Sequence, residues 1–172
     1  MEIDIQPFGD IDRDVLLELA GKLKEAFGCP VTDNRPLPVP EYAFTPARNQ
    51  YLSDLFIDKL KHHAVPGKRI LGITEADLYT RGLNFVFGQA DKQAGVAVIS
   101  LKLLRQEYYG LEEDHRLLME RALKEAVHEI GHTLGMDHCQ DGTCVMHFSN
   151  SLIDTDIKKA LFCPRCQPRL LE

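Results

Sequence analysis

A chain of 172 residues that is 44% hydrophobic and 27% charged holds enough apolar matter for one buried core and is expected to form a single domain. Its 26 acidic against 20 basic side chains give a net charge of −6, and no run of Lys or Arg offers a footprint to a nucleic-acid backbone, so nucleic acid is excluded as the expected partner. The N-terminus has no basic start leading into an apolar segment, and no window approaches the roughly 18 to 20 apolar residues of a membrane span. The expectation is a cytoplasmic monomer with no membrane partner.

Ile3 and Ile5 alternate with charged residues as a half-buried strand would, and Pro7-Phe-Gly-Asp is expected to break it. From Asp12, the residues Val15, Leu16, Leu19, Ala20, Leu23, Ala26 and Phe27 recur at helical spacing up to a stop at Gly28. Cys29 to Asn34 suggests a short strand, and Pro36, Pro38 and Pro40 exclude regular structure after it. Gln50 to Leu60 carries Leu52, Leu55, Phe56 and Leu60 at helical spacing, which predicts a second helix ending near Pro66-Gly67. Three β-rich runs follow, from Arg69 to Thr74, Asn84 to Gly88 and Val96 to Leu101. A third helix is predicted from Glu112 or Glu113, acidic residues that suit a helix N-terminus, to Leu134. Gly135 can adopt the left-handed conformation that ends a helix.

These elements predict an α/β layer of the mixed α+β kind, with a sheet of about four or five strands and three main helices. Beyond Gly135 the composition shifts to Cys, His, Asp and Gly. A boundary is therefore expected inside the domain, between an N-terminal part at 1–135 and a small C-terminal part at 136–172.

The densest chemistry lies in His128-Glu-Ile-Gly-His-Thr-Leu-Gly-Met-Asp-His138. Residues four apart stand one turn above each other, so His128 and His132 can share one ion. His138 can be the third ligand once the chain turns back at Gly135, leaving a fourth position for water, as in a catalytic zinc site. Glu129, about 100° around the helix from His128, is placed to act as general base. Metal-assisted amide hydrolysis is the reaction class that this set can perform. The pattern through Gly135 and His138 is the longer metzincin signature rather than a bare HExxH.

Cys139, Cys144, Cys163 and Cys166 have the spacing of a closed four-thiolate zinc site, which would staple a segment too short to build its own core. A redox-active C-x-x-C or disulfides are the alternatives. Cys29 is left over and reads as a small buried hydrophobe. Met146 is either a core residue or a methionine turn beneath the histidines, and His147 reads as a surface residue.

Taken together, the stretch from His128 to Cys139, Cys144-Val-Met146 and Cys163-Pro-Arg-Cys166 resemble the archaemetzincin family of the metzincin clan. The gap between Met146 and Cys163 is sixteen residues, one short of the family spacing. The resemblance implies a cytosolic zinc metallopeptidase with a twisted mixed sheet, no inhibitory propeptide and peptide or protein substrates. It implies two zinc ions, a catalytic one on His128, His132 and His138 and a structural one on the four cysteines, with Glu129 as base and Met146 in the Met-turn. Animal members of the family are described as aminopeptidases. The alternative function is a catalytically silent or self-blocked zinc-binding regulatory protein. Retention of Glu129 argues for chemistry, because a purely structural site needs no base. If the cleft is blocked, the segment Lys102–Gly110, with Tyr108 and Tyr109, is the one placed to cover it.

Overall fold

The computed structural model describes residues 1–170. In chain order its main elements are β1 (Glu2–Phe8), α1 (Arg13–Phe27), β2 (Val31–Asp33), β3 (Phe44–Thr45), β4 (Gln50–Leu52), α2 (Ser53–Lys61), β5 (Lys68–Thr74), β6 (Leu78–Tyr79), β7 (Gly88–Asp91), β8 (Val96–Ser100), α3 (His115–Thr133) and α4 (Leu152–Ile157). Five strands form a mixed sheet in the order β2-β1-β5-β8-β7, and β3, β4 and β6 form a small second sheet. Strands β2, β1, β5 and β8 run parallel, while β7 runs antiparallel at one edge. The mixed α/β layer expected from the sequence is the observed fold.

Alternation along the central strands sorts side chains to two cores, as a period of two requires. Ile3, Ile5, Leu71, Ile73, Ala97 and Ile99 face α1 and α3, whereas Phe8, Ile70, Val96 and Val98 pack with Phe56, Ile57 and Leu60 of α2. Both helices on the larger core are capped by their own sequence. Asp12 accepts from Asp14 N and Gly28 closes α1 at φ 60°, while Asp114 accepts from Leu117 N at the start of α3. Met136, Val145, Met146 and the C-terminal cysteines Cys144, Cys163 and Cys166 join this same cluster, so the tail shares the core of the sheet.

Several boundaries differ from expectation, among them the end of the second helix, which stops at Lys61 rather than near Pro66-Gly67. The first strand does not break at Pro7. Pro7 O accepts from Leu37 N at 2.9 Å, and the Gln6 side-chain amide donates to Arg35 O at 2.7 Å in the stretch where Pro7 has no N–H to offer. Gln50–Leu52 is a strand, because Tyr51 pairs with Phe44 on one side and Leu78 on the other, and the helix starts only at Ser53. The aromatic run at Asn84–Phe87 is loop. Pairing with β8 begins at Gly88 and runs through the polar Gln89, Ala90 and Asp91, because an edge strand is held by backbone bonds rather than by burial. Finally, α3 starts at His115, and the short α4 went unpredicted.

Helix α2 lies close on the sheet at Gly72, where a Cβ would stand 3.0 Å from side-chain atoms of both Leu60 and Phe8. Gly72→Val therefore overpacks this core and is expected to lower stability by about 1–3 kcal/mol, read as a reduced urea midpoint at unchanged slope.

Candidate active site

Helix α3 carries His128 and His132 on one face, and the chain reverses at Gly135 (φ 92°) to bring back His138. His132 Nε2 stands 3.0 Å from His128 Nε2 and 3.2 Å from His138 Nε2. On the far side of the rings, His128 Nδ1 donates to Val145 O at 2.7 Å and His132 Nδ1 donates to Met136 O at 2.8 Å. A carbonyl can only accept, so both Nδ1 atoms carry the proton and a neutral ring has a bare Nε2. Burial, reinforced by the Lys158 charge, pushes His128 well below the usual histidine range, and burial also lowers His132 and His138. His128 and His132 are thus held neutral with their Nε2 lone pairs facing one another, an arrangement that repels itself unless a cation lies between.

The separations fit a metal. Tetrahedral zinc with Zn–N distances of about 2.0–2.1 Å sets its nitrogens about 3.3 Å apart, close to the observed 3.0 and 3.2 Å. The four C-terminal cysteines converge in the same way, with all four sulfurs within 4.8 Å of one another. Cys139 Sγ and Cys163 Sγ are 3.8 Å apart, too far for a disulfide. That distance is close to the about 3.8 Å edge of a tetrahedron with Zn–S near 2.3 Å. Cys29 is buried in the same core but is not one of the four converging cysteines.

Glu129 sits beside the histidines in a cavity of about 570 Å³ walled by the segment Asn84–Ala90, α3 and Phe148–Asn150. Its Oε2 is buried and finds no hydrogen-bond partner among the described residues. Burial, and then the neighbouring Glu125 carboxylate, hold its carboxyl well above the usual carboxylate range. Gly88 of β7 touches it so closely that a Cβ there would lie 2.7 Å from Glu129 Cγ. Met146 is fully buried, and its sulfur fills the space left by the missing side chain of Gly131 on α3. His147 departs from the surface role expected of it. It is half-buried, with Nδ1 3.0 Å from Cys139 O. Tyr108 and Tyr109 line an adjoining cavity and are absent from the walls around the histidines.

Residues 42–172 match the model of Peptidase family M54. The chain belongs to that family. It is 42% identical to an archaemetzincin from Pyrococcus furiosus, over 99% of this chain and 92% of that relative. In structure it is similar to a zinc-dependent peptidase from Methanocorpusculum labreanum, with a TM-score of 0.91 and 29% identity over 98% of this chain and 99% of the other. It is also similar to an archaemetzincin from Archaeoglobus fulgidus complexed with malonate, with a TM-score of 0.84 and 37% identity over 98% and 99% of the two chains. This M54 member is therefore a peptidase of the archaemetzincin kind. Among the described residues, no helix is long and apolar enough to cross a membrane.

One part of this M54 site is absent from the sequence reading. Glu125, one turn before Glu129, lines the same cavity, and its Oε1 takes both Thr155 Oγ1 and the fully buried Lys158 Nζ at 3.0 Å. Lys158 also reaches His147 O at 3.5 Å. Nothing local marks Lys158 as buried, since it follows a short helix with an exposed face. The Ser151–Asp154 capping box was the one signal that could have revealed that helix. Lys158→Met strands a buried carboxylate and is expected to cost about 3–5 kcal/mol in chemical denaturation, whereas the double change Glu125→Leu/Lys158→Met recovers most of that loss.

Proposed function

We propose that this chain hydrolyses peptide bonds with a zinc ion held by His128, His132 and His138 and with Glu129 as general base. The observation that carries the reading is the meeting of three imidazole Nε2 atoms, 3.0 and 3.2 Å apart, beside the unpartnered Glu129 carboxylate. Zinc bound there would polarise the scissile carbonyl and bring the pKa of a water down to about 7. Glu129, which has no partner of its own beside the histidines, would take the proton from the attacking water and return it to the leaving amine as the C–N bond breaks. The carbonyls of Val145 and Met136 fix the tautomer and tilt of two of the ligand rings.

The substrate backbone has a natural partner in β7. This strand is the outer edge of the sheet, and it lines the cavity from Gly88 to Ala90, so an extended peptide can add to it as a further strand. An aminopeptidase would need an acid for the α-ammonium group, and Asp137, beside His138 in the cavity wall, is placed to serve. The cysteine cluster supports a second, structural zinc on Cys139, Cys144, Cys163 and Cys166, giving two ions per chain. Residues 1–135 and 136–172 then act as one catalytic domain, with peptide or protein as the partner.

Glu129→Gln is expected to lower kcat on an unbiased peptide mixture by at least about 100-fold while the zinc content is retained. Elemental analysis of purified protein should find two zinc ions per chain, falling to one in Cys163→Ser/Cys166→Ser. A count of one in the unaltered protein would remove the structural site.

A further inference from the structure

Beside the histidine cavity lies a second one of about 450 Å³, within the about 300–1,000 Å³ range of ligand pockets. The two share Asn84, Phe85, Phe87 and Asn150 as common walls and so form one groove. No residue of α3 lines the second cavity, whose far walls are Leu103, the Tyr108–Tyr109 pair and Leu152–Ile153 at the start of α4. Its floor is ordered and aromatic. Phe85 and Phe87 meet edge-on with centroids 5.1 Å apart, as do Tyr108 and Tyr109 at 5.1 Å. Large apolar side chains left open to solvent gather on this groove, with Tyr108, Tyr109 and Ile153 on the second cavity and Leu83 and Phe148 on the first. Such a concentration marks a binding surface.

Several polar groups at the rim are already engaged with one another. Gln50 Nε2 donates to Asp77 Oδ1 at 3.1 Å and to Asn84 O at 3.0 Å, Arg48 Nη2 donates to Asn84 O at 3.1 Å, and the Tyr109 hydroxyl donates to Leu103 O at 2.8 Å. A charged side chain laid against these rings would lose water, whereas an apolar one exchanges water for ring faces. The geometry points to a subsite for one large apolar or aromatic side chain of the substrate. This rests on the peptidase reading above. A peptide paired along β7 passes Glu129 at Gly88 and crosses Phe87 and Phe85 next, so with about 3.3 Å per residue the selected side chain lies roughly one to three residues from the cleaved bond. Phe, Leu, Tyr, Ile and Met are the residues that fit.

The test is a cleavage profile of the zinc-loaded protein on an unbiased peptide library, read by mass spectrometry, with Ile153→Glu as the probe variant. Ile153 is 69% exposed in the first turn of α4, where an acid is well tolerated, so the fold is kept. The expected result is an apolar preference at one position within three residues of the cut. In Ile153→Glu, kcat/KM should fall about tenfold for peptides with Phe there and stay unchanged for peptides with Ala. Leu17→Glu, on the exposed side of α1, should leave both unchanged. Cleavage with no such preference, or a preference untouched by Ile153→Glu, would overturn the subsite and leave the peptidase reading standing. If the library stays intact, the peptidase reading fails. The subsite is then decided by NMR titration of N-acetylphenylalaninamide, where Tyr109 ring shifts that vanish in Ile153→Glu support it and no shifts refute it.

Discussion

Everything at the candidate site depends on two hydrogen bonds that point away from it. Val145 O and Met136 O hold the Nδ1 protons of His128 and His132, which turns the bare Nε2 atoms inward to within 3.0 Å of each other. Neither acceptor belongs to the helix that carries the rings. Met136 is placed by the reversal at Gly135, and Val145 by a loop that returns under α3. That loop is pinned at both ends, with Cys139 N donating to Met146 O at 2.9 Å and Val145 N donating to Leu161 O at 3.0 Å. Along it the two clusters interleave, since Cys139 follows His138 and Cys144 precedes the carbonyl that holds His128. A disturbance of the thiolate cluster therefore moves both a ring and a ring's anchor.

The second constraint is electrostatic. Glu125 and Glu129 are buried one turn apart on α3, and two carboxylates so close in a low-dielectric site repel unless charge is supplied nearby. Lys158 supplies it through its contact with Glu125. The neighbouring Arg121–Asp156 pair, bonded at 2.7 and 2.8 Å, ties α4 to the same helix. A buried ion pair of this kind is weak evidence for stability, because apolar residues of similar size commonly do as well. What the pairs do fix is register, setting where the segment Phe148–Asn150 stands as the far wall of the cavity.

Legibility in the sequence followed the range of each interaction. The histidines, Glu129 and Gly135 could be read because their relation is set by the pitch of one helix and one turn. The cysteines could be read because their pairwise spacing is local at each end. The amphipathic α1 and its stop at Gly28 were likewise legible, as were the central strands β5 and β8. Lys158 and Gly88 were not, since each acts on a residue far away in the chain and neither breaks a local pattern. The aromatic run at Asn84–Phe87 misled for a related reason. Phe87 is buried in the larger core and Phe85 and Val86 pack on the two cores, but they do so from a loop outside the ladder, so periodicity assigned a strand four residues too early.

That misreading bears on how the molecule can meet a substrate. A sheet edge exposes unpaired N–H and C=O groups and invites uncontrolled pairing with other chains. Here the edge strand β7 is only four residues long, Gly88–Asp91, and it ends at the charged Asp91, with Lys92 next in the turn. Its start follows the aromatic loop and is backed by Glu129 where Gly88 leaves room for no side chain. Of this edge, Gly88 to Ala90 line the cavity that holds the histidines. A peptide that pairs there must lay its backbone beside Glu129, and its neighbouring side chains must cross Phe87 and Phe85. In this arrangement the device that keeps the sheet from aggregating also sets the register of the chain to be cut.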